Sequence, residues 1–187
     1  MPVSNSLAEK TVPLPLTAVP TPPLVPQSEA SKRELRRALG QFGTGVTVIA
    51  TRAADGRLVG VTANSFGALS LEPPLVVWAL RVNSSSLAAF ESAGRFVVSV
   101  LAEAQVELSR TFASHFDNKF DGVACALNPH GIPLLHGACA WFECKTVSRQ
   151  IAGDHCLFIA EVEAFSSSEV NPLLFHAGHY VTLGSRL

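Results

Sequence analysis

Five segments of the sequence carry residue types at spacings that invite a chemical reading. Thr62-Ala-Asn-Ser65 offers two hydroxyls, one amide and closely spaced backbone N–H groups. At a strand end such a segment can hydrogen-bond a phosphate or the polar edge of a heteroaromatic ring. An ordinary polar turn has the same composition. Asn83-Ser-Ser-Ser86 stands just before Leu87-Ala-Ala-Phe90, so its hydroxyls and free N–H groups lie where a helix begins, a setting suited to anions. An N-cap accounts for one of the three serines. Gly153-Asp-His155 places a histidine where a strand enters a sheet. There it can pass a proton or donate a hydrogen bond near neutral pH, and a turn histidine without a role fits equally well.

The remaining two segments are read mainly for what they exclude. His176-Ala-Gly-His179-Tyr180 contains His-x-x-His. On one strand an offset of three turns two side chains to opposite faces, so no metal site is expected from this pair. Tyr180, the only tyrosine, either stacks on a flat ligand or sits half-buried in a strand. The glycines of Gly40-Gln-Phe-Gly43-Thr-Gly45 are in the wrong order for a dinucleotide fingerprint and precede a strand instead of following one. A GxxxxGK[ST] phosphate loop and a GxSxG nucleophile elbow are both missing from the sequence. Cys144 falls on an alternating apolar face and reads as core, not nucleophile.

The elements that would hold these segments follow from periodicity. Ser31-Lys-Arg-Glu34 has capping-box spacing, and Leu35, Ala38, Leu39 and Phe42 follow at helical intervals. Lys32, Arg33, Arg36 and Arg37 form a basic stripe on that helix, read as a solvated face. Gly45–Arg52 is rich in Val, Ile and Thr, and Ala54-Asp55-Gly56 signals a hairpin to Arg57–Ser65. Short strands are expected at Ala68–Leu71, Leu75–Arg81 and Phe96–Leu101, and helices at Asn83–Ala93 and Glu103–Ser114. Ala138–Arg149 and His155–Ser166 alternate apolar with polar, and Leu173–Phe175 and Tyr180–Leu183 suggest a final pair. About seven short strands without strand–helix–strand repeats predict a mainly β antiparallel barrel with a few peripheral helices.

Composition narrows the function classes. Lys plus Arg is 14 against 15 for Asp plus Glu, so the net charge is −1 and lacks the basic excess of a nucleic-acid binder. The longest apolar runs, such as Val46–Ala50, fall far short of the ~20 residues a membrane helix needs. Charged residues are only 16% of 187, which leaves few charges to keep copies apart and favours self-association. Four cysteines at 125, 139, 144 and 156 show no CxxC spacing, consistent with a reduced, cytoplasmic protein. Seven of the 12 prolines fall within residues 1–30 and no aromatic residue does. That stretch is expected to be a disordered Pro-rich N-terminal arm, with the folded domain at 31–187.

One family joins these segments. Phe42-Gly-Thr-Gly-Val-Thr-Val-Ile49, Gly60-Val-Thr-Ala-Asn-Ser-Phe66, Leu71-Glu-Pro-Pro-Leu75, Gly153-Asp-His155, Pro172-Leu-Leu-Phe175 and Gly178-His-Tyr180 occur in that order. The ordered set resembles the short-chain flavin reductases, the small components of two-component flavin-dependent monooxygenases. The resemblance runs from about Leu35 to Leu183. It implies a split β-barrel of Greek-key type, a homodimer, and reduction of FMN or FAD by NADH or NADPH. It also implies release of the reduced flavin to a partner monooxygenase.

Carried over residue by residue, it assigns flavin contacts to Gly60, Thr62, Ala63, Asn64, Ser65, Trp78, Asn83, Ser84, Ser85 and Ser86, with the Gly56–Gly60 hairpin close by. Lys119 and Phe120 match a Lys-Phe segment of the family, His155 the histidine near the nicotinamide and flavin rings, and Tyr180 an aromatic position near the nicotinamide. His155 is the expected catalytic residue. Hydride transfer between two cofactors asks the protein only to stack and hydrogen-bond their rings, which agrees with the lack of a covalent nucleophile. The alternatives are a tightly bound FMN or haem on the same barrel acting as an electron carrier, and a pyridoxamine-phosphate-type oxidase. The latter needs basic residues converging on a substrate phosphate.

Overall fold

The computed structural model describes residues 28–116 and 118–185. Residues 1–27 of the expected Pro-rich arm lie outside them. The chain divides into two units, Met1–Arg36 and Arg37–Leu187. Helix α1, Glu29–Leu39, begins two residues before Ser31, where the capping box is expected. Ser28 is the reason. Its Oγ accepts the Ser31 N–H at 3.1 Å while Ser31 Oγ accepts the Ser28 N–H at 3.0 Å, so the reciprocal box is made by two serines. No residue of α1 is buried.

The second unit is built on one seven-stranded antiparallel sheet. Its strands are β2 (Thr47–Arg52), β3 (Leu58–Ala63), β4 (Gly67–Leu71), β5 (Pro74–Arg81), β6 (Arg95–Val100), β9 (Ala140–Ala152) and β10 (His155–Ser167). Their spatial order is β3-β2-β6-β9-β10-β5-β4. The crossing from β5 to β6 passes through helix α2, Leu87–Ala93. A small sheet of β1 (Thr44–Gly45), β11 (Leu174–His176) and β12 (His179–Val181) lies apart from it. Helix α3, Val106–Ala113, follows β6 after a short 3₁₀ turn. The β2–β3 hairpin pairs Thr47 with Ala63 through Arg52 with Leu58, as the Asp-Gly signal predicts.

The sheet curls around an aromatic core. Trp78 stacks on Phe158 at 4.7 Å between centroids and meets Phe90 and Phe96 edge-on. Ile49, Val98 and Cys144 complete this cluster, so residues from β2, β5, β6, β9, β10 and α2 share one interior. The seam lies where β3 ends. Ser65 Oγ donates to Ala79 O and accepts from Ala79 N, both at 3.0 Å, and thereby ties the end of β3 to β5. The other face of β2 is covered too: Val48 packs with Leu101, Phe112, Leu135 and Leu173. Cover on both faces explains why Thr47–Thr51 is buried without a break and why its sequence is continuously apolar or β-branched instead of alternating.

Twelve strands are present among the described residues, against about seven expected. β9 and β10 are 13 residues long, not short. The strands missed by the sequence reading are β7 (Cys125–Leu127) and β8 (Pro133–Leu135), which pair only with each other.

Candidate functional site

Strand β3 and the Ser-rich segment before α2 face each other across a cleft of about 860 Å3. Of the residues carried over from the resemblance, Gly60, Thr62, Asn83, Ser84, Ser85, Ser86 and Lys119 line it. The structure therefore brings together segments separated by more than twenty positions in the chain.

The β3 wall is fixed by α3. Thr62 Oγ1 donates to Ser109 O at 2.6 Å. Gly60 lies against Phe112, where an added Cβ would fall 2.5 Å from a ring carbon. Only glycine lets the helix come this close. α3 thus runs antiparallel to β3, with Ser109 beside Thr62 and Phe112 beside Gly60. Lys119 Nζ donates to Phe112 O at 3.0 Å and to Gly60 O at 3.3 Å, which closes the same wall. Burial lowers the Lys119 pKa from its ordinary value, because the ammonium has lost water on the protein side.

The opposite wall is less committed. Ser86 is the N-cap residue of α2, yet its side chain makes no capping hydrogen bond. Ser84 Oγ accepts from the Ser86 N–H at 3.3 Å. Between the walls, Arg57 and Arg81 also line the cleft, as do His115 and Phe116 from the loop after α3. Arg57 belongs to the Gly56–Gly60 hairpin that the resemblance puts close to the flavin, whereas Arg81, His115 and Phe116 carried no assigned role, although Arg81 precedes the Ser-rich segment by one residue. Arg57 Nε donates to Asp55 Oδ2 at 2.7 Å, and the guanidinium holds the Asp55 carboxyl below the usual range.

The other assigned residues lie elsewhere. Trp78 is 0% exposed in the barrel core, so no ligand reaches its ring. Ser65 spends its hydroxyl on the seam, and the Ala63 carbonyl takes the Thr47 hydroxyl at 2.7 Å. Asn64 is exposed but lies outside the cleft lining. Phe120 sits behind Gly60, packed on Phe112 at 4.8 Å between centroids. Tyr180 Oη and Ser109 Oγ share a hydrogen bond at 2.9 Å, and its ring packs on Phe175, away from the cleft.

His155 opens β10 directly opposite Arg81, a cleft residue, without lining the cleft itself. Its Nδ1 meets Asp154 Oδ1 at 2.8 Å, and this bond keeps the Asp154 pKa below its ordinary value. An ionised carboxylate only accepts, so Nδ1 carries the proton and Nε2 is left free to act.

His176 and His179 also need correction. A tight turn at Ala177 and Gly178, both at positive φ, folds the chain back between them. They are cross-strand partners, so they share a face instead of pointing apart. Cys144 behaves as expected: it is 2% exposed, and burial pushes its thiol up to about 12. A thiol so far from ionisation is a poor nucleophile.

The cleft suits the flavin that the resemblance implies. Its volume falls in the range of small-molecule sites, roughly 300–1,000 Å3. Val59, Leu80, Ala88 and Ala89 supply apolar wall, while the serine hydroxyls and the cations of Arg57, Arg81 and Lys119 supply donors for a phosphorylated tail.

Comparison with known proteins agrees with this geometry. The family model described as "Flavin reductase like domain" matches residues 39–184. The reductase subunit HsaB of a flavin-dependent monooxygenase from Rhodococcus jostii is 44% identical over 79% of this chain and 76% of its own. The FMN reductase (NADH) SmoA of Agrobacterium fabrum is 38% identical over 83% and 88%. A crystal structure of a nitrilotriacetate monooxygenase component B homologue from Mycobacterium thermoresistibile is 38% identical over 84% and 89%, with a TM-score of 0.80. The chain spans about half the length of other curated relatives that it matches. With the matched region, the split-barrel neighbours and the β3–α2 cleft all in agreement, the chain belongs to the flavin reductase like domain family.

Proposed function

We propose that the protein is an NAD(P)H:flavin oxidoreductase that reduces FMN or FAD and passes the reduced flavin to a partner monooxygenase. The observation that carries this reading is the cleft, which gathers Gly60, Thr62, Asn83–Ser86 and Lys119 from three separate segments. When both are bound, the nicotinamide and the flavin supply the hydride chemistry. The chain supplies position. Apolar residues of β3, β5 and α2 flank the ring site, and the serines and cations hold the anionic tail. His155, with Nδ1 fixed by Asp154, offers Nε2 beside Arg81 at the edge of the cleft.

The test is NADH and NADPH oxidation in air, with and without added FMN or FAD. Flavin-stimulated turnover is expected. A yellow protein holding stoichiometric flavin without turnover would replace the reductase reading with an electron carrier. His155→Ala is expected to lower turnover more than flavin affinity. Loss of flavin binding with turnover per bound flavin intact would move His155 out of the catalytic role.

Two further parts of the reading concern assembly and place. Leu71 is 92% exposed and Phe165 71%, and Leu69, Val147 and Ile151 are exposed with them. Large apolar side chains in this number favour a homodimer that covers them. Light scattering at the mass of two chains supports it; a monomer at micromolar concentration refutes it. No helix among the described residues is long and apolar enough to cross a membrane. Four cysteines without a disulfide agree with a cytoplasmic setting.

A further inference from the structure

The hairpin that closes the small sheet holds two histidines that take no part in the cleft. Ala177 and Gly178 join β11 to β12, and His176 and His179 flank this two-residue turn as cross-strand partners. Alternation along each strand fixes the way they face. Phe175 and Tyr180, also partners, pack inward against the cluster around Val48 and Leu173. The next residue on each strand therefore faces outward, and both histidines are exposed. Directly opposite partners hold their Cβ atoms about 4.5–5.5 Å apart, close enough for two imidazole rings to reach a common point. On the β1 side, Gly43 adjoins His176 and brings no side chain over its ring; a Cβ there would lie 4.0 Å from His176 Cδ2.

The turn between the two rings is held in an unusual conformation. Ala177 has φ 47°, in the left-handed region, and is the only non-glycine residue at positive φ among the described residues. A two-residue turn with both central residues at positive φ ordinarily takes Asn or Gly first. Strain of this kind persists where surrounding structure enforces it, and it gathers at functional sites. Here the Ala177 N–H donates to Gly40 O at 2.8 Å, which braces the turn from the segment after α1. The spacing of the rings is thus set in advance, and a ligand that needs both loses little by ordering them.

Two imidazoles offer nitrogen lone pairs and no carboxylate. That donor set suits Ni2+, Cu2+ and Zn2+, whereas Mg2+ and Ca2+ take oxygen ligands. Among the described residues no third His, Cys, Asp or Glu side chain completes a set of three with them. The pair is therefore a two-point chelate that leaves the other positions of an ion to water or an outside ligand. We propose that His176 and His179 form a surface chelate site for a divalent transition-metal ion, which bridges β11 to β12 across the turn. The assignment does not depend on the flavin-reductase reading. An ion seated there pins the hairpin that carries Tyr180, whose Oη meets Ser109 Oγ of α3 at 2.9 Å.

The experiment titrates the untagged, full-length chain with Ni2+ in a calorimeter, with Mg2+ as the control, and follows Tm with and without Ni2+. One Ni2+ per chain is expected, and no heat from Mg2+. His176→Ala and His179→Ala should each weaken Ni2+ binding at least about tenfold, because a single imidazole loses the advantage of two linked ligands. Ni2+ should raise the Tm of the wild-type protein by mass action and leave that of either variant unchanged. His130→Ala, which removes an exposed histidine between β7 and β8, should keep the wild-type affinity. The metal-free Tm shows whether each variant is folded, and His176→Gln and His179→Gln replace any alanine variant that is not. A wild-type protein that takes up no Ni2+, or binds Mg2+ as well, overturns the proposal. Affinity that survives either substitution, or that is lost on His130→Ala, overturns it too, since a chelate needs both of its rings and no other.

Discussion

The two walls of the cleft differ in how their polar groups are spent. On the β3 wall nearly everything polar is already satisfied by protein: Thr62 by Ser109 O, Lys119 by Gly60 O and Phe112 O. On the α2 wall the Ser86 hydroxyl stands at a helix start without capping it. A wall whose hydrogen bonds are internal holds the shape of the site. A wall whose donors are unspent can give them to a ligand without breaking anything. Residues assigned to one cofactor therefore divide into those that build the cleft and those whose polar groups face it unspent.

Substitutions should separate the walls. The largest effect is expected from Gly60→Ala, whose methyl would meet the buried Phe112 ring at 2.5 Å. Overpacking of this kind costs about 1–3 kcal/mol. In a domain of this size that lowers Tm by several degrees, roughly 2–4 °C per kcal/mol. An unchanged Tm would show that α3 can retreat from β3 freely. Thr62→Val comes next. It removes one hydrogen bond to Ser109 O, a helical carbonyl that keeps its partner within α3, and the loss of one such bond costs about 0.5–1.5 kcal/mol in urea unfolding.

Lys119 gives a smaller, pH-dependent signature. Its folded pKa lies below the ordinary 10.5, so between the two values the unfolded chain binds more protons. Stability should therefore rise as pH climbs through that window, and Lys119→Met should flatten the rise in urea midpoint. A rise of equal slope in the variant would assign it to another group. The smallest stability effect is expected for Ser86→Ala, within about 0.5 kcal/mol, since no cap bond is lost. Its effect should appear instead as a several-fold weaker flavin affinity, about what one neutral hydrogen bond contributes. If Ser86→Ala lowers Tm as much as Thr62→Val does, the distinction between the walls fails.

Much of this architecture is legible along the chain. The β2–β3 hairpin follows from Asp55-Gly56, and the alternation in β9 and β10 follows from a half-buried sheet. Both signals are local, so they survive without tertiary context. β7 and β8 are not legible because three residues carry no period, and they pair only with each other. The start of α1 shifted because Ser28 and Ser31 satisfy each other, a choice that Ser31 and Glu34 could also have made.

Residue types and their order determined the family, the mainly β architecture and the segments that meet at the cleft, because turn chemistry, hydrophobic period and motif order are written locally. Only the tertiary structure decided which members of each segment face the cleft. Within Thr62–Ser65 it sends Thr62 to the cleft wall and Ser65 to the seam; it buries Trp78, and it turns His176 and His179 to one face. The physical reason is that a side chain's partner is set by register and by the approach of distant elements, here α3 against β3 and β5 against the end of β3. No spacing within a single segment encodes those approaches.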